Sequence, residues 1–501
     1  MASDPPARPA AEATCDGQRG RRRSAGWIAG ALAASVLLRL PYLHAPLTVD
    51  EAGALTVARS WAAGQRLYLD TFVDRPQGVI VVFQRWDGLV GPSTTSVRAL
   101  AILAGLSVVL GTAVAARVAS GRWAAGAVAA WIVATVSSSA AIEGHAANGE
   151  LLAGAATVPA AAVGALVAAR RIPPPWLAAA GALAAAGLTV KQSAFDVLAA
   201  LAVWIAVAAW RGWLGRRAAA AMAGWLALGA GAVLGAAAGH GATLGWDAYA
   251  YAVYGFRIHA RSAIAGPQGS RMAVTLLVAL PLLGPAAWLA LRRLRTLDGP
   301  VSRRLRPEHV LVLLWIAVAT AGFFAGGNYH RHYWIQLAFP VAVASAVAIT
   351  AGPRQTERDL VRTTALAVAL PLAISAVLIA RPSLERDPRV AADAAIARWY
   401  RQHRPSPDAG LLPLCASVTL YVDAGQLPRT PYLWVDHVRS GRGAIPKLVA
   451  LLDGPDRPTY LAMHNPARRC DPTGRLGRAI ARHYRAAATV DGVDVLEATP
   501  P

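Results

Sequence analysis

Long apolar runs dominate the pattern of residues along this chain. A membrane-spanning helix needs about 20 mainly apolar residues, and eleven segments approach that length. They lie near residues 26–43, 97–118, 123–142, 150–169, 175–190, 195–210, 218–239, 272–291, 309–326, 332–351 and 363–380. The fifth and sixth are short, so they would be tilted or joined as a hairpin. The pattern predicts a polytopic α-helical membrane protein with a transmembrane domain over residues 26–381.

Two other parts of the chain have a different character. Residues 1–25 are polar and include Arg21, Arg22 and Arg23 just before the first apolar run, so we expect a disordered cytoplasmic tail. Residues 382–501 are charged and mixed. Helix-like stretches at 390–403, 445–452 and 474–484 alternate there with strand-like stretches at 411–416 and 459–464, and a hairpin turn is expected at 490–493. The tail is therefore predicted to form a small α/β domain.

The arginines indicate how the spans are oriented, because short cytoplasmic loops carry an excess of Lys and Arg. With the N-terminus inside, every cytoplasmic gap is basic. The residues concerned are Arg117, Arg122, Arg170, Arg171, Arg211, Arg216, Arg217, Arg292, Arg293, Arg295, Arg303, Arg304, Arg306, Arg354, Arg358 and Arg362. The outer gaps hold acids and histidines instead. An odd number of spans then places residues 382–501 outside the cytoplasmic membrane.

Composition refines this prediction. The residues are 55% hydrophobic and 15% charged, with a net charge of +21. Such a charge would suit nucleic acid, but the arginines cluster between apolar runs rather than on one soluble face, so we exclude that partner in favour of membrane lipids. No pair of cysteines has zinc-site spacing. Cys415 and Cys470 could pair if the tail lies in an oxidising compartment.

The first outer loop, residues 44–96, places acids at the membrane edge. Asp50 and Glu51 directly follow the first apolar run and begin a helix whose apolar face suits the membrane interface, and residues 78–90 resemble a second such helix. A purely structural explanation is that Asp50 caps the helix and Glu51 is an acid in its first turn. Asp74 and Arg75 would by the same logic be a surface ion pair of little energy.

Three later outer gaps add further polar groups. The second gap holds Glu143, His145, Asn148 and Glu150, whose spacing matches no standard zinc signature. Lys191 and Gln192 end a short span, where a snorkelling lysine is the plain explanation. The last gap holds Asn328, Tyr329, His330, Arg331, His332 and Tyr333, more charge than an aromatic belt needs. Acids beside cations at the outer edge suit a reaction on a charged lipid, since a carboxylate can accept a hydroxyl proton and cations can hold a phosphate.

These features together resemble the GT-C membrane glycosyltransferases, in particular the bacterial branch related to protein O-mannosyltransferases and the lipid A aminoarabinose transferase. The likeness covers about residues 26–380. It rests on Asp50-Glu51 after the first span, the Asp-Arg-Pro element at 74–76, the basic stretch at 328–333 and the outer tail. Gln77 stands where the family has a second proline. The resemblance implies a GT-C-like fold with about eleven spans.

The resemblance also implies a reaction. A hexosyl or pentosyl group would pass, with inversion, from a polyprenyl-phosphate donor to a glycan, lipid or protein acceptor outside the cytoplasmic membrane, with Asp50 as general base. Glu51 would share the catalytic site, and either Glu143 or Glu150 would be the second-loop acid; these acids would position the acceptor or hold a divalent cation, and the metal is left open. The donor phosphate would meet Arg75, Lys191, His330 and Arg331. The substrate-binding set would be Asp74, Glu143, His145, Asn148, Glu150, Gln192, Tyr329 and Tyr333.

Two other classes compete with the enzyme. A transporter or flippase for a lipid-linked envelope precursor would carry ionisable residues near the membrane midplane on broken helices. Here the polar groups collect at the outer ends of the spans, and Arg39 is the main exception. A non-catalytic scaffold of envelope assembly is the third reading. Sugar transfer by the purified protein would separate the three classes.

Orientation is directly testable. A reporter that is active only in the cytoplasm, fused after residue 501, should give no signal, because the arginine pattern places the tail outside. The same reporter fused in the gap after Arg211 should be active. A strong signal from the C-terminal fusion would contradict the predicted topology.

Overall fold

A computed structural model describes residues 10–260, 268–296, 305–352, 355–385 and 387–500. Of the arginines used for the orientation, Arg303, Arg304 and Arg354 lie outside these residues. The helices before the tail are α1 Ala10–Leu37, α2 Val49–Ala62, α3 Gln77–Val90, α4 Thr94–Ser120, α5 Trp123–Ser137, α6 Gly149–Ala168, α7 Trp176–Val190, α8 Asp196–Trp210, α9 Arg216–Leu244, α10 Trp246–Ala250, α11 Phe256–His259, α12 Gln268–Arg295, α13 Pro307–Gly326, α14 Trp334–Ile349 and α15 Glu357–Ala380.

Each of the eleven predicted spans falls on one of these helices. Eight helical segments of the described chain are long and apolar enough to cross a membrane. The remaining three, α5, α7 and α8, are apolar but have 15 residues each, as the sequence indicated for two of them. The predicted polytopic helical fold is therefore confirmed, while its orientation stays a prediction.

The N-terminal tail differs from the expectation. Residues 10–25, predicted to be disordered, form the first part of α1, and residues 1–9 lie outside the described chain. Alanine, arginine and glutamine have high helix propensity, so this stretch can extend the apolar helix that follows it. Polarity alone therefore predicted the wrong state for these residues.

Small residues let the helices of the membrane part approach closely. A Cβ added to Gly229 on α9 would lie 1.7 Å from the carbonyl oxygen of Ala178 on α7. A Cβ added to Gly181 on α7 would lie 2.2 Å from the carbonyl oxygen of Leu226 on α9. Reciprocal glycines at such short range are typical of helix packing in membranes, where van der Waals contact replaces the hydrophobic effect.

The tail forms a mixed sheet with helices. Its elements are α16 Pro388–His403, β1 Leu411–Pro413, α17 Thr419–Ala424, α18 Val435–Ser440, α19 Ala444–Asp453, β2 Tyr460–Met463, α20 Arg475–His483, β3 Tyr484–Val490 and β4 Val493–Ala498. The strand order is β1-β2-β4-β3, with β1 parallel to β2 and the other pairs antiparallel. Asp491 and Gly492, both at positive φ, form the predicted hairpin turn.

The tail packs on the first outer loop. The amide of Phe72 donates to the carbonyl of Pro431 at 2.9 Å. The ring of Trp434 lies so close to α2 that a Cβ on Gly53 would come within 2.0 Å of it. Farther out in the tail, Cys415 and Cys470 form a disulfide with their Cα atoms 5.9 Å apart, which confirms the predicted pairing.

The Gly53–Trp434 contact predicts a specific packing defect. Gly53→Ala should gain about 0.5–1 kcal/mol from helix propensity, yet lose about 1–3 kcal/mol through overpacking, because the tryptophan ring must move. Limited proteolysis should then release the tail faster than in the unaltered protein. Gly88→Ala on α3 is the matched control, since no atom lies within 4 Å of its Cβ position. Equal proteolysis of the two variants would contradict this packing.

Candidate active site

The outer ends of several helices bring the predicted polar residues together. Asp50 is the second residue of α2, and its carboxylate lies 3.6 Å from the guanidinium of Arg75 in the loop that precedes α3. The Asp50 side chain is 37% exposed, against 24% for Arg75. Thr48, and not Asp50, caps the helix. The Asp50 carboxylate is therefore not consumed by capping and remains accessible.

Arg75 is fixed between two carboxylates. Its Nε lies 4.0 Å from Oδ1 of Asp74, while its Nη2 faces Asp50. The main-chain carbonyl of Arg75 accepts a hydrogen bond of 2.9 Å from the Tyr68 hydroxyl, which orients the loop. Burial alone would lower the pKa of Arg75, but the charges of Asp50 and Asp74 outweigh it and raise that pKa. The guanidinium is thus a permanent, oriented cation.

Asp74 ties three parts of the chain together. Its Oδ2 lies 2.5 Å from Nε of Arg257 on α11, and its Oδ1 lies 3.3 Å from Nε2 of His437 on α18 of the tail. Burial would raise the pKa of Asp74, but Arg257 and His437 hold it well below its usual range. The carboxylate is ionised and engaged on both oxygens, so it shapes the site as an anchor of Arg75.

Arg257 and His437 were missed by the sequence analysis. Arg257 belongs to a helix of four residues, and His437 lies in the tail, 363 residues after Asp74. Neither residue stands in a motif or a periodic pattern. Only the folded arrangement brings them to Asp74, and no signal in a single sequence could have found them.

Glu143, in the second outer gap, pairs with two residues of the last outer gap. Its Oε1 accepts from Nε of Arg331 at 2.8 Å, and its Oε2 lies 2.9 Å from Nδ1 of His332. Burial would raise the pKa of Glu143, but His332 and Arg331 outweigh it and keep the pKa well below its usual range. Glu143 is therefore an ionised bridge between two gaps that are distant in sequence.

The backbone at Glu143 is strained, and hydrogen bonds from the buried Arg39 side chain hold it in place. Its φ is 57°, a left-handed conformation that costs a non-glycine residue about 1–3 kcal/mol. The buried guanidinium of Arg39 donates to the carbonyls of Ser137 at 2.7 Å and Gly144 at 3.0 Å, on either side of this turn. Arg39, the exceptional charge of the spans, therefore fixes the loop that presents Glu143.

Glu150 and Lys191 form a deeply buried ion pair on the same side of the molecule. The Lys191 ammonium contacts Oε1 of Glu150 and lies 4.2 Å from the centre of the Tyr333 ring. Oε1 of Glu150 is also 3.8 Å from Nε2 of His332. The structure thus brings both second-gap acids, Glu143 and Glu150, into one network through His332, and Lys191 is a paired cation with little exposure rather than a snorkelling one.

Glu51 has no accessible oxygen. Its side chain is 0% exposed, and Oε1 accepts from Nη1 of Arg98 at 2.9 Å and from the amide of Ala147 at 2.8 Å. Its Oε2 accepts from the amide and the hydroxyl of Thr48, both at 2.9 Å. This carboxylate completes a capping box and joins α2 to α4 and to the second outer gap. Its contacts are those of a positioning residue beside Asp50.

The remaining predicted residues have mixed placements. His145 stacks on Tyr42 with ring centres 4.4 Å apart, and burial lowers the pKa of His145 to about 3, so the ring is neutral. Asn148 caps α6, and Gln192 donates to the main-chain carbonyls of Asp74 and Val253. His330 is exposed and stacks on His332 with centres 5.4 Å apart, while Tyr329 packs on Phe323.

Within the described chain, no three His, Cys, Asp or Glu side chains are grouped to hold a metal ion.

The geometry defines one accessible carboxylate beside one fixed cation, at the mouth of a largely buried network of charges. Such a pair can accept a proton on Asp50 and bind an anion at Arg75. The groups behind it position these two side chains and are themselves occupied by their partners.

Comparison with known proteins assigns the fold. No protein-family model matches the chain, and no curated protein matches its sequence. Among solved structures, ArnT from Cupriavidus metallidurans bound to undecaprenyl phosphate is similar, with a TM-score of 0.63 and 15% identity over 95% of this chain and 99% of that one. The oligosaccharyltransferase AglB of Archaeoglobus fulgidus, in complex with an inhibitory peptide and a dolichol-phosphate, has a TM-score of 0.57 and 11% identity over 92% of this chain and 72% of that one. Both are GT-C glycosyltransferases, so this chain has the GT-C fold that its sequence resembles.

The contacts of Glu51 predict a stability defect distinct from any loss of activity. Glu51→Gln keeps the shape of the side chain but leaves the Arg98 charge buried without a counter-charge, which should cost about 3–5 kcal/mol. The melting temperature in detergent should fall, and Asp50→Asn should leave it nearly unchanged. Combining Glu51→Gln with Arg98→Met should restore part of the loss. An unaltered melting temperature for Glu51→Gln would contradict the structural role of this pair.

Proposed function

We propose that this protein transfers a hexosyl or pentosyl group from a polyprenyl-phosphate donor to an acceptor hydroxyl on the outer face of the cytoplasmic membrane. The observation that carries the proposal is the accessible Asp50 carboxylate, 3.6 Å from Arg75, on a GT-C fold. Undecaprenyl phosphate in ArnT and dolichol-phosphate in AglB support a lipid phosphate as the donor's leaving group. The acceptor is a glycan, a lipid or a protein.

The charges of the site support Arg75 as the phosphate anchor. Apart from His332 and His437, the cations Arg75, Lys191, Arg257 and Arg331 face the carboxylates of Asp50, Asp74, Glu143 and Glu150, so four permanent positive charges meet four negative charges. A phosphate therefore binds best by displacing a carboxylate from its cation. Of the four carboxylates, Asp50 lies farthest from its nearest cation and has the most exposed side chain, so the donor phosphate replaces Asp50 at Arg75.

This exchange prepares the base for its reaction. Once Arg75 holds the phosphate, the Asp50 carboxylate is released next to the reacting centre. Asp50 takes the proton of the acceptor hydroxyl, and the hydroxyl oxygen attacks the anomeric carbon from the face opposite the phosphate. The bond between that carbon and the phosphate oxygen breaks, and its electron pair leaves with the polyprenyl phosphate. The anomeric configuration inverts, and the charge that develops on the leaving oxygen is stabilised by Arg75.

The other groups have supporting roles in this proposal. Asp74 keeps Arg75 in place, and exposed His330 lies at the same outer face, where it can contact the phosphate. Lys191 pairs with Glu150 and Arg331 pairs with Glu143. Through these carboxylates the two cations position the second outer gap relative to the rest of the site. Tyr333, packed over Lys191, is available to line the sugar pocket together with Tyr329, while buried Asn148 acts as the cap of α6. Glu51 holds the helix that carries Asp50.

Asp50→Asn tests the proposal. Asn has the shape of Asp but cannot accept a proton at neutral pH, so transfer from a polyprenyl-phosphate sugar should fall by about 10²–10⁴-fold. The variant should insert and melt normally. Transfer is measured as released polyprenyl phosphate with the purified full-length protein.

A matched control is available in the same loop. Asp87 forms a similarly placed ion pair with Arg59 at 3.0 Å but lies on the far part of α3. Asp87→Asn should retain transfer. Near-normal sugar transfer by Asp50→Asn would exclude Asp50 as the base. If the unaltered protein in vesicles moved the intact donor across the membrane without transferring its sugar, a flippase would be favoured instead.

A further inference from the structure

An apolar cleft lies between α1 and α15, which both pack against α5. It is near the start of the apolar part of α1, which begins at Gly20, and near the N-terminal end of α15, whereas Asp50 follows the C-terminal end of α1, so the cleft and the candidate active site lie toward opposite ends of the apolar span. The volume of the cleft is about 350 Å³. Its lining consists of Gly26, Trp27, Gly30, Trp131, Val361, Thr364, Ala365 and Val368.

The lining follows helical periodicity on both sides. On α15, Val361, Thr364, Ala365 and Val368 have the spacing of one helix face. On α1, a Cβ placed on Gly26 would meet no atom within 4 Å, while one on Gly30 would meet the Trp131 ring at 3.2 Å. The cleft is therefore open at Gly26 and floored by Trp131. Its shape is that of a slot along the helices rather than a closed cavity.

The mouth of the cleft is basic. Arg22 and Arg23 lie one turn before Gly26 and Trp27, and Arg358 lies one turn before Val361. Arg362 lies beside Val361 and one turn before Ala365. Arg23 pairs with Glu357 across the mouth. In the part of the chain that the structure describes, Arg22, Arg358 and Arg362 form no ion pair with a carboxylate, and all three are exposed.

Shape and charge together select the occupant. An α-helix with its side chains is about 10–12 Å across and rises about 5.4 Å per turn, so a slot of about 350 Å³ holds less than one turn of it. A second copy of this face would also bring its own Arg21, Arg22 and Arg23 against the basic mouth. A single acyl chain fits the slot, and an anionic headgroup at the end of that chain would meet the arginines. Basic pockets between membrane helices bind anionic lipid headgroups in this way.

We propose that this cleft is a binding site for an anionic phospholipid of the leaflet on that side of the membrane, which we predict to be cytoplasmic. One acyl chain lies along Gly26, Trp131 and Ala365. The headgroup phosphate lies between Arg22 on α1 and Arg358 and Arg362 on α15. The lipid thereby joins two helices that contact each other mainly through α5 and the Arg23–Glu357 pair.

Native mass spectrometry of the full-length protein in detergent tests this site, with phosphatidylglycerol and phosphatidylcholine of identical acyl chains as the probes. Phosphatidylglycerol should be retained at least about ten-fold more tightly, since each arginine near a headgroup adds attraction. Arg358→Gln with Arg362→Gln should reduce its retention to the level of phosphatidylcholine. Arg216→Gln with Arg217→Gln, at the exposed start of α9, is the matched control and should change nothing.

The apolar part of the site has its own variants. Gly26→Leu fills the slot from α1 and Ala365→Leu fills it from α15, and each should lower the retention of both lipids several-fold while the melting profile shows that the protein is folded. Equal retention of the two lipids by the unaltered protein would overturn the proposal. An equal loss of phosphatidylglycerol retention in the α9 control would also overturn it. So would a dimer that forms without lipid and that Gly26→Leu abolishes, because a second copy would then occupy the cleft. Displacement of phosphatidylglycerol by polyprenyl phosphate at equal concentration would likewise contradict the proposed ligand. None of these results depends on sugar transfer.

Discussion

The buried carboxylate of Glu51 is the interaction on which the outer face of this protein depends. It caps its own helix at Thr48, neutralises Arg98 on α4 and accepts the amide of Ala147 in the second outer gap. A charge without exposure is stable only when its partners satisfy it fully. The position of α2 is therefore fixed to within hydrogen-bond distances, and with it the direction in which the neighbouring Asp50 points.

A similar logic extends through the rest of the site. Arg39 holds the turn at Glu143 from behind, and Glu143 in turn orients Arg331 and His332. Lys191 and Glu150 form an ion pair that is almost completely buried. These buried charges are each paired or hydrogen-bonded, so the accessible carboxylate of Asp50 stands against a rigid and nearly neutral background. Such a background is what a site needs if a phosphate is to compete for a single cation.

The tail belongs to the same electrostatic system. His437 reaches Asp74, and Trp434 closes over Gly53 at the start of α2. The tail therefore contacts both acidic elements of the first outer loop. Movement of the tail would alter the anchor of Arg75 as well as the packing of the helix that carries Asp50, so both side chains are mechanically linked to the tail.

The sequence by itself determined the periodic features of this protein. Eleven apolar runs, the two helices of the first predicted outer loop and the alternating elements of the tail follow from local patterns, because burial in lipid or in a core imposes them residue by residue. The clustering of these charges at one end of the spans followed from the predicted topology alone; they are Asp50, Asp74, Arg75, Glu143, Glu150 and Lys191. Tertiary structure decided what each charge does. Asp50 is accessible while adjacent Glu51 is buried, and Asp74 meets a histidine 363 residues away. These outcomes depend on which helices pack together, and long-range packing leaves no local signature in a single sequence.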